Sequence, residues 1–403
     1  MTRTRPPAFR YVGPPIEPSL GGSALIFKLL RDYPVDRFIS VELPMGGPKN
    51  VHRLDGPKTI TLPVPPPGFG PRARTLYELT FLYGKKAWAG WLDWKLRKHS
   101  FDTVVCVVHG WVCEAACELA RRRKVPFHVI LHDHAGNTLP TPRFLHKVRV
   151  RRWVDLCRGA NTRLCVSPYM AAEVEKMTGC PCLVLYPGLS PGADLQAPPA
   201  PLGKDDRKGL TFGFIGLVHT GMRDLLFKMG RLLNAEGHRL VLHSPQAASL
   251  LDEPGAAGLI DGGWIPTESV ARKLRETADA LFLPMSFKAA DTPNVKVLFP
   301  SKLVEYCAAG LPVLIWGPPY SSAVRWAGEH PGFAEVVETG EEDVVIEAIH
   351  RLADAARRQQ MGEFSLSLAR EFFAHERTFG LFLKVLENGF AKGSLENISQ
   401  KCE

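Results

Sequence analysis

The sequence predicts an α/β protein made of two Rossmann-like, parallel-sheet domains facing a cleft. Three observations lead there. At 403 residues the chain is longer than one such domain needs. Short β-branched runs bounded by Gly, Pro or Asp alternate with helical patterns of ten or so residues. The alternation occurs twice, on either side of a Pro- and Gly-rich stretch at Tyr186–Pro201 followed by the charged turn Lys204–Lys208.

In the first half, strands are expected at Arg37–Leu43, Thr103–Val108, Phe127–Leu131 and Leu164–Val166, with a first strand before Gly13. Helices are expected there at Ser23–Arg31, Arg72–Lys98, Trp111–Arg123 and Pro168–Met177. In the second half the expected strands are Leu210–Ile215, Arg239–His243, Ala280–Leu283 and Pro312–Ile315. The matching helices are Gly221–Asn234, Thr267–Thr277, Ser301–Ala309 and Glu341–Arg358. Continuously apolar strands that alternate with helices belong in a parallel sheet covered on both faces. Ligands of such sheets bind beyond the carboxyl ends of the strands. Thr61–Pro71, with its proline run, reads as an exposed loop.

Composition excludes several classes. Hydrophobic residues at 45% and charged residues at 23% exclude a disordered chain. No run of about 18 apolar residues is present, so no transmembrane helix is expected. Met1–Arg10 lacks the apolar stretch of a secretory signal, and a cytoplasmic protein is expected. The nine cysteines have no metal-site spacing: Cys180 and Cys182 flank one proline, and Cys113 and Cys117 lack a second cluster. Residues 1–200 carry 28 Lys and Arg against 15 Asp and Glu, whereas residues 201–403 carry 22 against 26. The basic half suits an anionic partner, and without a recognised motif nucleic acid is not expected. On Arg72–His99, Lys85, Lys86, Lys95, Arg97 and Lys98 interleave with Trp88, Trp91 and Trp94, a pattern that suits either an anionic membrane surface or inward-packed rings with solvated cations.

The most informative segment is Phe299–Pro312, FPSKLVEYCAAGLP. Pro300 and Ser301 start a helix, with Ser301 able to cap free N–H groups, and Gly310 ends it. Lys302 and Glu305 share a face at the positive end of that helix, suiting a diphosphate and a ribose diol. A plain solvent-exposed ion pair is the competing reading by composition. FPSKLVEYCAAGLPVL resembles the C-terminal signature of the large GT-B glycosyltransferase family of cell-surface glycan mannosyl- and glucosyltransferases. The likeness extends to Pro187–Gly188, to Ala280–Pro284 and to Gly262–Pro266. It implies a hexosyltransferase using a UDP- or GDP-sugar and a saccharide or lipid-linked acceptor, with no further cofactor and no metal.

The same resemblance implies roles for single residues. Glu305 would bind the ribose, and Ser301 and Lys302 would meet the diphosphate. Trp264 or its backbone would face the base. Gly216, Thr220, Gly221 and Arg223 in FIGLVHTGMRD would form a phosphate turn, which a structural strand–helix turn also explains. Gly21 and Gly22 match a glycine loop approaching sugar and phosphate. His132 in LHDHAGN would touch the donor sugar or reaction centre, and His109 would line the same cleft. Residues 1–190 would form the acceptor domain and 205–375 the sugar-nucleotide domain. Residues 376–403, with an amphipathic helix over Phe372–Leu386, would return to the first domain.

One position departs from the pattern. Retaining members carry a Glu-x7-Glu pair, yet Val297 stands where the first Glu belongs. Either Asp291 takes that role, or an inverting mechanism uses Asp133 as base. A sugar-nucleotide 2-epimerase and a non-catalytic nucleotide- or glycan-binding scaffold are the competing classes.

Overall fold

The structure, a computed structural model, describes residues 5–18, 21–44, 53–63, 71–134, 145–195 and 209–388. Most of the Pro-rich loop after Thr61, the end of LHDHAGN, the second half of the linker and the tail beyond 388 lie outside these residues. The chain divides into two compact units, Met1–Pro191 with Glu376–Glu403, and Gly192–His375.

The first unit runs β1 (Phe9–Gly13), α1 (Gly21–Leu30), β2 (Phe38–Glu42), β3 (Lys58–Thr61), α2 (Pro71–Lys95), β4 (Thr103–Val107), α3 (Val112–Arg123), β5 (Phe127–Leu131), α4 (His146–Gly159), β6 (Thr162–Cys165), α5 (Pro168–Thr178) and β7 (Leu183–Val184). Its seven strands lie in the order β3-β2-β1-β4-β5-β6-β7, all parallel. β1, β2, β4 and β5 are buried along their whole length, as strands covered on both faces must be. The edge strand β3 is largely exposed and polar, KTIT, which explains why hydrophobic pattern alone missed it.

The second unit runs β8 (Thr211–Ile215), α6 (Thr220–Ala235), β9 (Arg239–His243), α7 (Ala247–Leu251), β10 (Leu259–Asp261), α8 (Val270–Thr277), β11 (Ala280–Pro284), α9 (Thr292–Val295), α10 (Ser301–Ala309), β12 (Val313–Trp316), α11 (Ser322–Glu329), β13 (Ala334–Val337), α12 (Glu342–Arg351) and α13 (Ala355–Leu368). Its six parallel strands lie in the order β10-β9-β8-β11-β12-β13. In each sheet the order reverses once, between β1 and β4 and between β8 and β11. At such a reversal the connections leave in opposite directions and open a crevice beyond the strand ends.

Three sequence expectations are corrected. The helix expected over Glu341–Arg358 is two, because Asp354 turns the chain and caps the second: its Oδ1 accepts from the N–H of Ala356 at 2.9 Å and of Arg357 at 3.3 Å. The helix expected over Phe372–Leu386 starts later, as α14 (His375–Asn388), because a π-turn at Ala369–Phe373 and an extended Ala374 precede it. Ser301 is not the N-cap of α10; it is the first helical residue, and Pro300 holds the cap position.

α14 belongs to the first unit through aromatic packing. Phe382 meets Phe9 of β1 edge-on at 6.0 Å, and Phe379 meets Tyr33 at 6.3 Å. Phe382 is buried. Phe382→Ala is therefore expected to cost about 3–5 kcal/mol, a cavity-forming loss, measured as a shift in urea unfolding.

Candidate active site

In the second unit, Gly216 ends β8 at φ +84°, a conformation that suits glycine. The turn it begins is clamped by Gln246, whose Oε1 accepts from the Val218 N–H at 2.7 Å and whose Nε2 donates to the Val218 carbonyl at 3.1 Å. α6 then starts at Thr220, leaving its first N–H groups at the turn.

Lys302, on the first turn of α10, reaches over this turn. A Cβ on Gly216 would sit 3.4 Å from Lys302 Cε. Its Nζ donates to the Leu217 carbonyl at 3.3 Å and lies 5.2 Å from the centre of the Phe214 ring. Among the described residues it has no carboxylate partner. Burial pushes its ammonium down to about 8. Glu305, one turn further along α10, is buried, and Lys302 is partly so. The solvent-exposed Lys–Glu pair that composition suggests is therefore not what the chain forms.

Tyr306 fixes this arrangement at the strand reversal. Its hydroxyl accepts from the Ile215 N–H at 3.2 Å and donates to the Phe282 carbonyl at 3.1 Å, tying α10 to both β8 and β11. Asp291 lies close by. Ser286 Oγ donates to Asp291 Oδ2 at 2.6 Å, and a Cβ on Gly221 would fall 2.4 Å from each of those two oxygens. Gly221 thus admits a carboxylate and a hydroxyl to the start of α6. Asp291, Gly221, Gly216 and Lys302 are brought together.

Two expected residues stand apart from this group. Arg223 is ion-paired with Glu253 and lies over the Phe227 ring at 5.3 Å, so its charge is already answered. Trp264 is 54% exposed on the loop after β10. That loop is held by His243, whose Nδ1 lies 3.0 Å from the Gly262 carbonyl. Thr220 lies at the start of α6, and its side chain lies outside the described ones.

In the first unit, His109 and His132 follow β4 and β5, neighbours in the sheet, so their rings come side by side. The rings are stacked 5.9 Å apart at 18°. His132 Nε2 lies 3.1 Å from Asp133 Oδ2. Gly22, in the first turn of α1, packs against His132: a Cβ there would fall 2.7 Å from Nε2. Gly21 opens the same helix. The arrangement can accept or donate a proton at two imidazoles and one carboxylate.

Sequence reasoning missed Gln246, Phe214, Ser286 and the bridging hydroxyl of Tyr306. Each acts through partners that are distant in sequence or carry no motif. The tyrosine of the EY pair was visible, but not its two carbonyl and amide partners.

Comparison with known proteins agrees with this architecture. Residues 52–192 match the family model Glycosyltransferase Family 4. A search of the curated proteins found no match. Among solved structures, HepE of Anabaena in complex with UDP and glucose is similar at a TM-score of 0.65 and 13% identity, covering 94% of this chain and 99% of that one. Sucrose-phosphate synthase of Thermosynechococcus elongatus is similar at 0.67 and 13%, covering 94% and 98%. A glycosyltransferase of Rickettsia africae is similar at 0.66 and 10%, covering 96% and 100%. These likenesses show the GT-B fold.

The pH behaviour of Lys302 gives a direct test. Because its folded-state pKa is lowered, the unfolded chain binds more protons between pH 8 and the ordinary lysine value of 10.5, and the folding penalty fades as pH rises through that window. An anion held by the ammonium follows the opposite course. Affinity for inorganic sulfate, measured by calorimetry, is expected to be about tenfold weaker at pH 9 than at pH 7. The limb should vanish in Lys302→Met.

Proposed function

We propose that this GT-B glycosyltransferase, matched to Glycosyltransferase Family 4 over residues 52–192, moves a sugar from a nucleoside diphosphate sugar to a saccharide or lipid-linked acceptor. The observation that carries the reading is Lys302, a partly buried cation without a carboxylate partner among the described residues, set over a glycine turn at a helix start. A diphosphate supplies the missing negative charge, and the free N–H groups of α6 add to it. Glu305, at the next turn of α10, is placed to accept from a ribose diol. Gly216 and Gly221 allow close backbone approach. As the sugar–phosphate bond breaks, negative charge grows on the departing diphosphate, and Lys302 stabilises it.

In this reading the first unit handles the acceptor. His132 and Asp133 supply the polar groups near the reacting sugar, and Asp291 stands in for the carboxylate absent at Val297. With retention, the acceptor attacks the same face and the departing phosphate takes its proton. The 3.1 Å contact between His132 and Asp133 supports a second reading, inversion with Asp133 as base. Asp133→Asn separates them. A fall in kcat of about a hundredfold or more, with an inverted anomeric product by NMR, supports inversion; a small effect with retained configuration supports retention.

The donor class is read by thermal stabilisation with UDP, GDP, ADP and CMP. One nucleotide is expected to stabilise the wild type, with the shift lost in Glu305→Ala and Lys302→Ala. No shift with any of them would favour a non-catalytic scaffold.

For a lipid-linked acceptor and a role in cell-surface glycan synthesis, α2 offers a surface. Leu76, Tyr83 and Trp94 are 69%, 69% and 54% exposed, and their spacings of seven and eleven put them on one helical face. Lys95 Nζ lies 4.9 Å and the Arg97 guanidinium 4.9 Å from the Trp94 ring. Lys85 is excluded from this surface, because it pairs with buried Glu114 at 2.9 Å. No helix among the described residues is long and apolar enough to cross a membrane. Binding to vesicles of anionic phospholipid is expected to drop at least tenfold when Lys86, Lys95, Arg97 and Lys98 become Glu. Unchanged binding would remove the membrane from the account.

A further inference from the structure

We propose that His109, His132 and Asp133 form a binding site for one divalent transition-metal ion of the zinc, cobalt and nickel kind. In the sequence two His and one Asp suggest an ion by residue type alone, and the family resemblance implies no metal. The fold supplies the juxtaposition: β4 and β5 are hydrogen-bonded neighbours, and parallel strands lie about 4.8 Å apart. Residues just beyond their carboxyl ends therefore emerge together.

Each of the three offers one ligand atom, and these atoms lie within 4.8 Å of one another. The closest pair, His132 Nε2 and Asp133 Oδ2, is 3.1 Å apart. Two metal–ligand bonds of about 2.1 Å spanning that gap meet near a right angle, an ordinary edge of a coordination polyhedron. Small rotations of His109 bring its nitrogen into the same shell. Glycine at residue 22 lets the start of α1 approach the ring without a clash; a Cβ there would fall 2.7 Å from Nε2 and 2.8 Å from Cε1.

Two imidazoles and one carboxylate favour zinc, cobalt or nickel over magnesium or calcium, which prefer oxygen ligands. Three protein ligands leave positions for water or a substrate hydroxyl. Two features limit affinity. His132 Nδ1 is buried with no hydrogen-bond partner among the described residues, so none of those residues holds the tautomer. The positive end of α1 also works against a cation, and the Asp133 carboxylate offsets it. An occupied site has its lone pairs tied up, so His132 and Asp133 no longer move protons. That corollary rests on the function proposed above, whereas the site itself does not.

The test is a cobalt titration of the full chain at pH 7.5 after chelator treatment, read by visible absorption and calorimetry. One equivalent is expected to bind with a dissociation constant of about 1–100 μM, without the intense near-ultraviolet bands of thiolate ligands. His109→Gln and His132→Gln should each weaken cobalt binding about tenfold or more, with unchanged melting temperature and unchanged far-ultraviolet circular dichroism. Binding unaffected in both variants, thiolate bands, or no binding up to millimolar cobalt would overturn the proposal. None of these outcomes depends on transferase activity, so failure here is distinguishable from failure of the donor assignment.

Discussion

Lys302 carries its charge into a place where no described carboxylate answers it. Burial lowers its pKa to about 8, its one described hydrogen bond goes to the Leu217 carbonyl, and the Phe214 ring lies beneath it. Desolvating a cation costs free energy that a carbonyl and an aromatic face only partly return. Folding tolerates this because Tyr306 locks α10 onto β8 and β11, and because Gly216 leaves room for the lysine stem. The diphosphate proposed above would bring the counter-charge that this side chain lacks among the described residues.

The remaining site features follow from the topology of each sheet. Parallel strands align their carboxyl ends, and the reversal in strand order leaves a gap there that helices do not cover. In the second unit that edge carries Gly216, the start of α6, the Ser286–Asp291 pair and α10. In the first it carries Gly22, His109 and the His132–Asp133 pair. The residues proposed to do chemistry thus sit where irregular backbone is least constrained by the ladder, while Gln246 and Gly221 restore order through specific contacts.

Much of this was legible in the sequence. Phe127–Leu131, Arg239–His243 and Ser301–Ala309 stand in the fold at the bounds their patterns give, because continuous apolar runs and a proline–glycine frame are local signals. The GT-B likeness of FPSKLVEYCAAGLP singled out the lysine and glutamate for which donor-binding roles are proposed. Less legible were elements whose faces are polar. β3 is an exposed edge, and α4 (HKVRVRRWVDLCRG) is so rich in arginine that its buried stripe of Trp153, Leu156 and Cys157 is masked. Asp354 looked like a helix residue and is a cap. The fate of Arg223 was invisible, since nothing in FIGLVHTGMRD announces that Glu253, thirty residues on, takes its charge.

The most direct measurement compares thermal unfolding of wild type and Lys302→Met at pH 7, each alone and with whichever of UDP, GDP, ADP and CMP stabilises the wild type. If the lysine is held for a ligand, removing its desolvated charge leaves the unliganded protein as stable as wild type or more so, and the stabilisation by that nucleotide disappears. A variant that melts several degrees lower while keeping the full nucleotide shift would contradict the account, for it would make Lys302 a structural residue.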